Sequence, residues 1–128
     1  MPKVLILYSW DDEISQKRLA AQRSSPYLGG YDFEHSFALK NESDKIEEEL
    51  IFQRTIDALD SFRPDVLLLH TGAAFHRDPE AFFRIAEKIH DHDHSLRLGI
   101  ESRGRWGGEV FEDSEEMHQL EDLFFGGY

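Results

Sequence analysis

The chain has 128 residues, 40% of them hydrophobic and 31% charged, which is enough to bury one core and too apolar for a disordered chain. No cysteine is present, so disulfides and thiolate chemistry are excluded, and 26 acids against 14 bases leave a net charge of −12. Such a field repels phosphate backbones and anionic membranes, and it suits a basic protein partner or a bound cation better than nucleic acid.

Val4-Leu-Ile-Leu7 is a continuous apolar run, the mark of a strand covered on both faces. It is too short for a signal-peptide core or a membrane span, so a cytoplasmic protein without membrane association is expected. Asp11, Asp12 and Glu13 open a polar helix to about Ser24, which Ser25-Pro26 and Gly29-Gly30 break. Tyr31, Phe33, His35 and Phe37 alternate with Asp32, Glu34 and Ser36, the pattern of a half-exposed edge strand. Asn41 to Asp44 supply caps, and Glu47, three residues after Asp44, completes a capping box. Ile46, Leu50, Phe52, Ile56, Leu59 and Phe62 then give a long helix one apolar side.

Val66 to Leu69 is a second buried strand. Asp78 followed by Pro79 starts a helix, on which Phe82, Ile85, Ala86 and Ile89 fall at i, i+3, i+4 and i+7 and share a face. Leu96, Leu98 and Ile100 form a further core strand, Gly104 to Gly108 a loop, and Val110-Phe111 a very short strand. Met117, Leu120 and Phe124 mark a last helix, capped near Asp113 or Ser114.

Strands that alternate with helices imply a parallel sheet joined by right-handed crossovers. The expected architecture is a single α/β domain over residues 1–128, three-layered and flavodoxin-like. Its parallel sheet has four to five strands in the order 2-1-3-4-(5), with helices on both faces. Ligands in such folds bind beyond the carboxyl ends of the strands, where strand order reverses. Ser9, Trp10, Asp11 and Asp12 reach that point after the first strand, His70, Thr71 and Gly72 after the third, and Glu101, Ser102 and Arg103 after the fourth.

"KVLILYSWDDE" followed by "RPDVLLLHTG" resembles the receiver domain of bacterial response regulators. The resemblance runs from Lys3 to about Ser102. It implies that Asp11 and Asp12 stand for the family's Mg²⁺-binding pair and Ser102 for its hydroxyl residue. His70 stands where the family's phosphorylated aspartate belongs, and no lysine follows Lys88 to match the one near the fifth strand. The implied protein is a pseudo-receiver: a non-catalytic signalling or interaction domain with a degenerate phosphorylation site. "LYSWDDE" is also similar to the start of TIR-like domains, in which Glu80 would be the nearest match to the glutamate of members that cleave NAD. A small TIR-like or hydrolytic enzyme using His70, Asp11 or Asp12, and Glu80 is the alternative, with a divalent-cation-binding protein as a third reading.

Each candidate also has a structural role to weigh against its chemical one. Imidazole at His70 suits proton transfer or metal binding, and equally a ring bonded at the edge of the core. Asp11 and Asp12 can ligate a hard cation or serve a helix N-terminus. Thr71 and Gly72 can offer backbone N–H groups to an anion. His90, His92 and His94 would share a face in an extended segment and hold Zn²⁺ or Ni²⁺, although a solvated loop is the expectation there. The oligomeric state is not legible.

Overall fold

A computed structural model describes residues 2–10 and 13–126. The element order is β1 (Lys3–Trp10), α1 (Glu13–Ser24), a 3₁₀ turn (Pro26–Leu28), β2 (Asp32–Leu39), α2 (Glu48–Phe62), β3 (Val66–Leu69), α3 (Ala73–Arg77), α4 (Pro79–His92), β4 (Arg97–Ile100), α5 (Arg103–Trp106) and α6 (Glu115–Phe125). All four strands are parallel, in the order β2-β1-β3-β4. This is the expected flavodoxin-like arrangement.

Register follows from the apolar runs. Val4 lies opposite both Phe33 and Val66, and Leu7 opposite Leu69, so β1 sits in the middle of the sheet. Its residues Val4 to Tyr8 and all of β3 are buried. One face carries Leu5, Leu7, Leu67 and Leu69 against Ile51, Ile56, Phe82 and Ile85 of α2 and α4. The other carries Val4, Ile6, Tyr8, Val66 and Leu68 against Met117, Leu120 and Phe124 of α6. Burying each such side chain stabilises the fold by about 1.5–3 kcal/mol, so these two layers dominate stability. Gly99 of β4 is where α6 comes closest, for a Cβ there would lie 2.7 Å from both Leu68 Cδ2 and Met117 Sδ.

The structure departs from the expected elements in several places. The capping box does not form: α2 starts at Glu48, and the Asp44 carboxylate instead accepts from the Lys40 and Asn41 backbone N–H groups. Local bonds of this kind compete with helix extension. Between Gly72 and Asp78, where no element was expected, lies α3, which buries Ala74 and Phe75. The expected strand at Val110-Phe111 is absent, because that segment offers β4 a single backbone bond, Glu112 N–H to Leu98 O at 2.8 Å. Arg97 fixes it there through Glu112 at 2.8 Å, and that contact holds the Glu112 carboxyl down at about 2. Gly104 to Gly108, also read as loop, opens with the short helix α5. The caps of Asp78 on α4 and Ser114 on α6 are as expected, each accepting from the N–H three residues on. Among the described residues no helix is long and apolar enough to cross a membrane.

Phe75 is fully buried, with its ring 5.0 Å from Trp106 and 5.5 Å from Phe83. Phe75→Ala is expected to cost about 3–5 kcal/mol in urea unfolding. Ile14→Ala, at a site 75% exposed, should stay within about 0.5 kcal/mol of the parent.

Candidate functional site

Parallel strands end on one side of the sheet, and at that side the chain leaving β3 meets the chain leaving β4. The His70 N–H donates to Leu7 O at 3.0 Å and the Glu101 N–H to Leu69 O at 2.9 Å, so both side chains are set by the last bonds of the ladder. Glu101 is the hub. Its Oε1 accepts from the Thr71 hydroxyl at 2.9 Å and the Thr71 N–H at 3.3 Å, and lies 3.5 Å from His70 Nε2. Its Oε2 lies 3.6 Å from an Arg18 guanidinium nitrogen.

Arg18 comes from α1 and also donates to His70 Nε2 at 2.7 Å. Guanidinium has no acceptor, so the imidazole nitrogen is the accepting partner in this contact. Behind His70 lie the Tyr8 ring at 4.7 Å and the Phe125 ring at 5.9 Å. Gly72 closes the other side. A Cβ there would sit 2.8 Å from Ser9 Oγ and 3.0 Å from His70 Nδ1, so only glycine lets the turn pack so closely. Ser9 Oγ in turn accepts from the Ala74 N–H of α3 at 3.2 Å.

A second group of polar side chains extends this cluster beneath α1. Gln22 is fully buried, donates to Phe124 O at 2.9 Å, and accepts from His35 Nε2 at 3.0 Å. The His35 ring stacks on Tyr8 at 5.0 Å. Burial, helped by the Arg23 charge, pushes the His35 imidazole down to about 4. Burial likewise pushes the Tyr8 hydroxyl up to about 12, against the pull of Arg18. Both groups are therefore neutral at pH 7. Neither the Tyr8 hydroxyl nor His35 Nδ1 has a well-formed hydrogen bond among the described residues.

No family model, curated protein or solved structure matches this chain. The site therefore stands on its own geometry. Ser9, His70, Thr71, Gly72 and Glu101 are brought together as topology required, whereas Asp11 and Asp12 lie outside the described residues. Arg103 turns away: its guanidinium takes both oxygens of the buried Glu121, at 2.8 and 3.1 Å, while Glu121 also accepts from the Ile100 N–H. Ser102 is exposed, with a left-handed backbone at φ 57°, on the rim of a groove of about 600 Å³ between α5 and α6. Glu80 is exposed in the first turn of α4, on the opposite face of the sheet.

The three clustered histidines do not converge. α4 continues through His92, contrary to the loop expected there, because Phe82, Ile85 and Ile89 keep it docked. His90 and His94 stand 5.1 Å apart, and His92 packs on Phe52 instead. Among the described residues no group of three or more His, Asp or Glu could hold a metal ion. The sequence reading missed Arg18, Gln22 and His35. A signal was present, for a helix of α1's composition has no apolar stripe, and Arg18 and Gln22, four apart, share one face.

His70→Ala removes the imidazole acceptor of Arg18 and is expected to cost about 1–3 kcal/mol by urea unfolding. Because His35 has a folded value below its unfolded 6.5, its stabilising contribution is complete above pH 6.5 and is lost as pH falls toward 4. For a ring still part solvated this amounts to about 1–2 kcal/mol. His35→Phe should flatten that part of the stability–pH curve, measured between pH 6.5 and 4.5, above the range in which Glu112 titrates.

Proposed function

We propose that the protein is a receiver-like signalling or protein-interaction domain that performs no chemistry at the end of β3. The observation that carries this reading is the state of His70. It occupies the place that the receiver resemblance assigns to the phosphorylated aspartate, and its Nε2 lone pair is taken by Arg18 at 2.7 Å. An acyl phosphate needs a carboxylate there, which imidazole does not supply. A general base needs a free lone pair, and a permanent cation engages this one.

The rest of the crevice supports the same reading. Glu101 spends its charge on Arg18 and its lone pairs on Thr71. Arg103, the nearest cation beyond β4, is bound to Glu121 rather than held ready for a phosphate. These contacts keep the strand ends together. The excess of 12 negative charges favours a partner of basic character, and Arg97 and Arg103 are held by carboxylates rather than left open to a phosphate backbone.

Incubation with acetyl phosphate and Mg²⁺, read by intact mass, is expected to leave the protein unmodified, and incubation with NAD to release no nicotinamide. A stable phosphoryl adduct, or nicotinamide release that scales with protein concentration, would overturn the proposal.

A further inference from the structure

α1 is attached to the sheet unlike the other long helices. α4 buries Ala81, Phe82, Ile85, Ala86 and Ile89, and α6 buries Met117, Leu120 and Phe124. α1 buries Gln22 alone. Ile14 is 75% exposed, Ala20 and Ala21 are exposed, and Leu19 is half-buried.

Polar contacts spaced along the helix hold it instead. Arg18 reaches His70 at 2.7 Å and Glu101 at 3.6 Å. Gln22 bonds Phe124 O at 2.9 Å and His35 at 3.0 Å, and Arg23 reaches Glu34 at 2.9 Å. Water can replace each of these bonds when the helix lifts, whereas nothing in water replaces buried apolar contact. The docked helix also holds His35 through Gln22, and His35 Nδ1 is buried without a hydrogen bond among the described residues. Water would satisfy that nitrogen on opening, which lowers its cost further.

We infer that α1 is a lid: it undocks as a unit while the sheet, α2, α4 and α6 stay folded, and the contact of Arg18 with His70 is its latch. Opening bares the ring face of Tyr8, His35 and His70 and frees the Glu101 carboxylate from Arg18. The inference goes beyond the non-catalytic reading and does not depend on it, since it follows from how the helix is held. It supplies a two-state element of the sort through which a binding event acts.

Native-state hydrogen exchange of the whole chain across low urea concentrations tests it. The amides of α1 from Lys17 to Ser24 should exchange at least tenfold faster than those of β1, β3 and α4, with little dependence on urea, as for a sub-global opening. Arg18→Ala should speed α1 exchange about tenfold further and leave α4 unchanged, while Ile14→Ala should leave α1 exchange as it was. If α1 amides are as protected as those of β1 and follow the same urea dependence, α1 belongs to the global unit and the lid is refuted. If Arg18→Ala accelerates α1 no more than Ile14→Ala, the latch is refuted.

Discussion

Val4 to Tyr8 and Val66 to Leu69 are buried on both faces of the sheet, and the rest of the structure answers to that requirement. A strand that must be dry on both sides belongs in the interior of a sheet between two layers of helices. Parallel pairing with crossover helices meets the condition, and α2 with α4 on one face and α6 on the other supply the cover. The same pairing brings the exits of β1, β3 and β4 to one edge. The polar cluster around Glu101 is thus a consequence of keeping these nine side chains out of water.

The two faces are covered by different means. The α2–α4 face is predominantly apolar, with the one buried hydroxyl of α2, Thr55, bonded to Ile51 O within the helix, and ion pairs such as Arg84 with Glu48 lie at its solvent rim. On the other face α6 covers the half nearer β4, while under α1 the sheet presents Tyr8, His35 and His70. A polar helix suits a surface of hydroxyl and imidazole groups, because each needs a partner when dehydrated. Arg18 and Gln22 supply most of those partners, and the bonds left unmade are the cost of that arrangement. Stability and function divide along this line: one face anchors the fold, and the other holds a helix by contacts that water can replace.

Charge is handled in the same local way. Glu101 with Arg18, Glu121 with Arg103, and Glu112 with Arg97 each join a carboxylate to a guanidinium across elements distant in sequence. Glu121 is the most demanding of these, being buried, and it is also the most fully satisfied, by two guanidinium bonds and a backbone N–H. Removing one partner of such a buried pair costs far more than the pair contributes. The segment after β4 forms no fifth strand, and these pairs tie it to α1, α6 and β4 in turn.

The alternation of apolar runs with helical periodicity was enough to read the sheet order, the core of β1, β3 and β4, the cap at Asp78, and the meeting of Ser9, His70 and Thr71. These features depend on residues close in the chain, or on handedness rules that hold for all L-amino acids. The partners of His70 were not legible: Arg18 is 52 residues away and Glu101 is 31, and no periodicity encodes which polar groups face one another across a helix–sheet interface. Asp44 likewise reads as a helix cap, yet its carboxylate closes the turn at Lys40 and Asn41 instead, and the helix starts four residues later. Local pattern decides where the chain can be buried. Only the folded backbone decides which charge meets which imidazole, because that choice depends on distances through space that pattern does not carry.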